Sequence, residues 1–233
     1  MAIAFRAAGT VSSAGPGSPA TPGLPASFQA NDIHVAVILA GNVDTLTTTG
    51  WTQKLTVDNG TTHRLTIAWR RAVGGDTAPS FSGNSQDIIA QIFGFSGCTT
   101  SGDPFSAAQG QANASGTTVT APAITPTVAN QMILFVGGRS NTGATTSTFS
   151  TYSGTNPSFT EAFDNANTSV AIVYDLAIFG AYGLKTDTTS TGSRTCVATN
   201  AGENSGALLS LIAAGGLAVA PLAQANYRRR RAA

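Results

Sequence analysis

Two histidines, two cysteines and a scatter of carboxylates are the side chains of this sequence that could carry chemistry, and four consecutive arginines could carry binding. His34 opens an apolar run and His63 follows a turn, so each reads as a strand-end residue rather than a ligand or general base. No HExxH, GxSxG or glycine-rich phosphate loop accompanies them. Cys98 and Cys196 belong to no CxxC pair and lie near no histidine, so they read as buried thiols serving as small hydrophobes. A disulfide formed after release from the cytosol is the alternative. Glycoside hydrolysis needs two carboxylates at a defined separation. Asp76, Asp87, Asp103, Glu161, Asp164, Asp175 and Glu203 lie in loop-like stretches, and nothing distinguishes a pair among them. DNANTS, 164–169, sets Asp and Asn oxygens at alternate positions like a calcium loop, without the glycine and distal glutamate such a loop uses. The expectation is no catalytic residue, no metal, no cofactor, and a protein that is not an enzyme.

The arginines close the sequence, in QANYRRRRAA. With those four set aside, 8 basic residues face 11 acidic ones, so the body carries about −3 and is no nucleic-acid surface. Tyr227, Arg228, Arg229, Arg230 and Arg231 read as a peg entering an acidic or carbonyl-rich groove of an adjacent subunit, a task that suits the planar, multi-donor guanidinium. A solvated tail and non-specific phosphate contact are the alternatives. GALLSLIAAGGLAVAPLAQANYRRRR also has the outline of a membrane anchor with a positive flank. Gly215, Gly216 and Pro221 interrupt it, and Leu208–Ile212 reads as a short buried strand, so no membrane is expected. At the other end, Arg6 stands inside the only apolar run of MAIAFRAAGTVSSAGPG, which argues against a secretory signal and for synthesis in the cytoplasm.

The elements that must position these residues are strands. Charged residues make up 10% of the 233, against about 25% in an ordinary globular domain. There are 26 glycines, and Ser and Thr fill the polar positions, as in GATTSTFSTYSGT. Thr packs on pleated surfaces and Gly serves turns, which disfavours helix. Residues 1–31, rich in Pro, Gly, Ser and Ala, read as an extended N-terminal arm. Strand-like runs follow at 33–41, 52–57, 63–72, 87–97, 132–138, 168–181, 193–199 and 206–215, with DNG (58–60) marking a hairpin.

Three of these runs recur in order. GLPASFQANDIHVAVILAGN (23–42) lies over APAITPTVANQMILFVGGRSN (121–141), HRLTIAWRRAVGGD over TSVAIVYDLAIFGAYG, and GNSQDIIAQIFGFSG over GENSGALLSLIAAGG. The expected fold is all-β: one antiparallel two-sheet sandwich over 32–216, jelly-roll-like, an internal duplication of halves 24–98 and 121–216, with 217–233 as a C-terminal tail.

PASFQANDIHVAVILAG, the turn of Gly50, Trp51 and Thr52, LTIAWRRAVGGD, DIIAQIFGFSG, TVTAPAITPT and GALLSLIAAG together resemble structural proteins of tailed-bacteriophage virions, over about residues 20–216. The resemblance implies a non-enzymatic part of a virion, a head-decoration or tail-tip/fibre protein, whose partners are other virion proteins and copies of itself. A coat of Ser, Thr and Gly with few charges fits a surface covered by neighbours. The N-terminal arm is expected to lie across a neighbour, and loops 140–160 and 184–192 to face outward. The rival reading is a surface adhesin or carbohydrate-binding module recognising host glycan, with Trp51, Trp69, Tyr152 or Tyr182 as a stacking platform. Trp69 alternates with Leu65 and Ile67 and reads as core, which leaves Trp51 as the contact for a sugar.

Overall fold

Val, Ile, Leu, Phe and Thr concentrate in the runs between glycine-bearing turns, and such residues gain most when a pleated surface is buried. The computed structural model describes residues 2–141, 146–167 and 174–215. In chain order its strands are β1 Ala4–Ala8, β2 Ser12–Ala14, β3 Ile33–Ala40, β4 Thr52–Asn59, β5 His63–Arg71 and β6 Ile88–Ser96. They continue with β7 Phe105–Ala121, β8 Gln131–Asn141, β9 Phe149–Ser150, β10 Thr160–Ala166, β11 Asp175–Lys185 and β12 Arg194–Leu211. No helix occurs among the described residues. The strands form two 6-stranded antiparallel sheets, ordered β1-β6-β3-β5-β4 with β2 beside β6, and β10-β11-β8-β12-β7 with β9 beside β12. The all-β, two-sheet architecture is as expected, and DNG does turn the chain from β4 into β5, where Asn59 pairs with His63.

Each sheet comes from one contiguous half of the chain, so consecutive strands stay together. A jelly roll passes strands back and forth between sheets, and that detail of the expectation is not carried by this order. Chain order and spatial order do correspond between the halves. β1, β6, β3, β5 and β4 lie side by side in the first sheet, as β7, β12, β8, β11 and β10 do in the second. Each half enters its central strand through an asparagine with positive φ, Asn31 at 73° and Asn130 at 60°, a backbone that asparagine tolerates better than most residues. The next residue is buried in both halves and accepts from the first strand: Asp32 from Arg6 at 2.9 Å, Gln131 from Ser106 at 2.6 Å.

At residue level the sequence matching slides. Val35 pairs with Trp69 and Phe93, whereas Leu134 pairs with Tyr182 and Leu209. Trp69 therefore corresponds to Tyr182, not Tyr174, and Phe93 to Leu209, not Ile212. The runs at 193–199 and 206–215 are one strand, β12, and β1, β2, β7, β9 and β10 lay outside the expected runs. The run expected at 168–181 begins with 168–173, outside the described residues, and its strand is β11.

Apolar clusters occupy three levels. Between the sheets pack Val35, Val37, Leu39, Ile67, Phe93 and Phe95 with Leu134, Val136, Ile178, Leu209 and others. The far face of the first sheet carries a second cluster, where Ala36, Ile38, Ala68, Ala90 and Ile92 are covered by Ala20, Leu46, Trp51 and Phe81. The far face of the second carries a third, where Ile133, Phe135, Phe179 and Leu208 are covered by Ile124 and Phe149, with Tyr152 and Phe159. Antiparallel sheets commonly leave one face wet. Here the chain's own connecting segments cover both outer faces, which is why β3 is buried at every position.

Two expectations change accordingly. The N-terminal arm folds onto its own sheet: β1 and β2 pair with β6, Ala20 bridges Phe81, and Leu24 packs on the outer face. Its small and proline residues suit a flat strap over a sheet, and it is occupied there rather than lying across a neighbour. Likewise the loop stretch 146–159 is not wholly outward, since Phe149, Tyr152 and Phe159 anchor it in the third cluster.

Candidate functional site

Three polar constellations are assembled by the fold. The first lies between the sheets. His63 begins β5 with its ring turned inward, and its Nε2 lies 2.8 Å from Ser205 Oγ of β12. Beside it the Asn59 side-chain amide donates to the carbonyls of Asn113 and Asn204 at 2.9 and 3.0 Å. Farther along, Asn165 of β10 donates to Gln91 of β6 at 2.7 Å. These bonds tie one sheet to the other at its margins. Burial pushes the His63 imidazole down to about 4, against an upward pull from Asp58, so it is neutral at pH 7 and positions rather than titrates.

The second constellation sits under the N-terminal strap. His34 is fully buried, edge-on to Phe28 at 4.9 Å and stacked toward Trp51 at 6.4 Å. Burial is the main influence lowering its pKa, opposed by Asp76 and Asp32 and assisted by Arg70. Trp51 follows Gly50, whose φ of 78° makes the turn. The indole is 8% exposed and lies edge-on to Phe81 at 5.6 Å. A ring packed in this way has no face to offer a sugar, and the expected glycan contact at Trp51 is corrected to a core residue of the outer cluster. Trp69 is half-buried against Phe105, and Tyr182 stacks on Phe5 with centroids 4.6 Å apart.

The third brings together carboxylates that sequence spacing left unpaired. A bulge in β10 between Glu161 and Phe163 shifts the strand against β11. Without it, residues three apart would face opposite sides of the sheet. With it, Glu161 and Asp164 share the outer face with Tyr152, whose hydroxyl donates to Glu161 Oε2 at 3.1 Å. Asp164 Oδ2 accepts the Phe149 backbone N–H at 2.7 Å. Burial pushes Asp164 up to about 6; the Phe149 bond opposes that shift and Glu161 adds to it. A raised acid beside a second carboxylate is a pattern that acid–base sites use. Here Asp164 Oδ1 is buried without a hydrogen-bond partner, and the other oxygen fastens the 146–159 loop to the sheet. The geometry is that of a loop clamp.

The remaining candidates resolve simply. Cys98 and Cys196 are free and buried, as the sequence led one to expect. Burial pushes the Cys98 thiol up to about 12 and raises Cys196 as well. A thiol in that state is neither nucleophile nor ligand. Ellman's reagent should therefore leave both unmodified in the native protein and titrate two thiols once guanidinium unfolds it. Fast reaction of either in the folded state would contradict its burial.

Within the calcium-like stretch, Asn165 serves Gln91, while Asn167 donates to the Tyr174 carbonyl and accepts from Leu176 N–H. No group of three or more His, Cys, Asp or Glu placed to hold a metal occurs among the described residues. Also among them, no helix is long and apolar enough to cross a membrane. Tyr227 and Arg228–Arg231, the expected peg, lie outside the described residues.

Together these features define an antiparallel β-sandwich with three apolar strata, whose buried polar groups join its layers. Comparison of the chain with family models, with curated proteins and with solved structures finds no match.

Proposed function

We propose that this chain is a non-enzymatic structural component of a tailed-phage virion, of the head-decoration or tail-tip/fibre type. The observation that carries the reading is how the motifs behind the resemblance are used. In PASFQAND, Asn31 makes the left-handed entry to β3 and Asp32 holds Arg6. In WRRAVGGD, Arg70 pairs with Asp76, which also accepts Val73 N–H, while Arg71 reaches the carbonyls of Thr99 and Gly102. In DIIAQIFGFSG, Asp87 accepts Tyr174 N–H from the other half, and Gln91 donates to the Gly9 carbonyl. These residues build and lock a scaffold, the use that a structural particle component makes of its strand motifs.

The duplicated strand order supports descent from a doubled unit of the same kind. The glycan-binding alternative has lost Trp51, its named platform, and no other observation favours it. Assembly through the N-terminal arm is withdrawn, because that arm is occupied in its own sheet. The C-terminal peg, Tyr227 with Arg228–Arg231, stays part of the proposal as the contact to a neighbouring virion subunit. Quantitative mass spectrometry of purified virions tests the reading. Hundreds of copies per particle would mean the head and a handful the tail tip, and absence from particles would overturn it.

A further inference from the structure

We propose that the free edge of β7 pairs with the β7 edge of a second copy, antiparallel about a twofold axis, to make a dimer whose second sheets run on into one another. The inference rests on the edge itself and holds whether or not the chain belongs to a virion. β7 runs for 17 residues, Phe105–Ala121, at the margin of its sheet. β12 pairs with one side, and no strand pairs with the other among the described residues. An exposed edge presents a row of unpaired backbone groups, and natural sheets guard such rows with short strands, bulges or charge.

The other margins of this sandwich are guarded. β1 is 5 residues long, carries Arg6 and has a bulge after Phe5. β4 has a bulge after Gln53 and carries Lys54 and Asp58. β10 has its bulge after Glu161 and carries Glu161 and Asp164. In β7, FSAAQGQANASGTTVTA holds no charged residue and no proline. Its ladder with β12 is irregular between Phe105 and Ala107 and again between Asn113 and Thr118, but from Ala107 to Asn113 its register against Ser210 to Asn204 is unbroken. This stretch is also held firmly from beneath. A Cβ on Gly110 would come within 2.5 Å of Val57 Cγ2, so β4 lies directly against it, and Asn59 caps the Asn113 carbonyl.

The occupant follows from symmetry and charge. A strand pairing antiparallel with its own copy is closed by a twofold, so one interface satisfies both edges and assembly stops at the dimer. Charges near such an axis meet their like, which costs affinity, and β7 is the margin without them. A groove of about 350 Å³ opens beside the regular run, lined by Ala107, Ala108, Gln109, Ala123, Ile124 and Thr125. It leaves room for side chains arriving from the copy, as strand addition requires for alternate residues.

Light scattering coupled to size exclusion tests this. The wild type should elute with twice the 23.5 kDa chain mass. Gln109 and Ala112 are exposed on β7. The double variants Gln109→Lys with Ala112→Lys and Gln109→Glu with Ala112→Glu should each self-associate about a hundredfold more weakly or worse. Their circular dichroism spectra should match that of the wild type. Mixing the two variants should restore the dimer mass, because opposite charges now face each other. Thr56→Lys, exposed on β4, should remain dimeric. A monomeric wild type, a dimer indifferent to the β7 charges, or a mixture that stays monomeric would each overturn the proposal.

Discussion

Phe179→Ala should cost about 3–5 kcal/mol of folding stability, a large share of the roughly 5–15 kcal/mol that holds a domain together. Phe179 lies on β11 facing away from the inter-sheet core, where the outer face of an ordinary antiparallel sheet would meet water. Its ring is fully buried instead, with centroids 5.0 Å from Phe135, 4.7 Å from Phe149 and 5.8 Å from Tyr152. Gly137 on the neighbouring strand makes room, since a Cβ there would stand 2.7 Å from the Phe179 ring and 2.4 Å from the Ser205 carbonyl oxygen. Truncation removes the centre of the third apolar stratum and leaves a cavity that β8 and β11, hydrogen-bonded on both sides, cannot collapse to fill. Guanidinium titration followed by circular dichroism gives the difference directly. Phe179→Leu should recover more than half of the loss, because most of the buried volume returns. A cost under about 1 kcal/mol for the alanine variant would mean that the covering segment contributes no real burial, and the three-level packing would have to be abandoned.

The second large effect is that of pH through His63. Its folded-state pKa is about 4 against an ordinary 6.5. Below pH 6.5 the unfolded chain takes up a proton that the folded chain refuses, so the neutral ring's contribution is complete above 6.5 and is lost as pH falls toward 4. That lost contribution is about 3 kcal/mol, at about 1.4 kcal/mol per pKa unit. His34, also depressed by burial, acts in the same direction. Asp164 acts in the opposite one: an acid raised to about 6 gains protons in the folded state first, which favours folding as pH drops from 6 toward 3.8. Because Asp164 is only half-buried, solvent screens its share.

The informative quantity is therefore the difference between wild type and His63→Gln, which keeps a donor toward Ser205 but cannot titrate. The wild-type advantage measured by denaturant unfolding at pH 7 should shrink by about 3 kcal/mol at pH 4. Parallel stability curves for the two proteins from pH 7 to pH 4 would show that His63 is not held neutral between the sheets.

Composition and run length alone determined that this chain is all-β and builds antiparallel sheets. Scarce charge, 26 glycines and short apolar runs leave no amphipathic helix to form. The burial of both thiols was legible too. Residue-level matching of the repeats was not. β3, β6 and β8 are buried on both faces, so their apolar residues do not alternate, and a run without alternation slides without penalty in sequence while hydrogen-bond register pins it in space. β7 was illegible for the opposite reason: Gln, Asn, Gly and Ala give it no hydrophobic period, and it is a strand because β12 pairs along its length.

Tertiary structure alone decided what the polar residues do. The bulge that puts Glu161 and Asp164 on one face has no local signature, because it arises from how β10 meets β11. Trp51 sits after a glycine at a turn, a setting equally compatible with a wet indole and a packed one. Only the arrival of Phe81 and the strap over His34 closes it in. Local sequence carries the backbone preferences of strands and turns, but burial depends on which distant segments come to lie on each face.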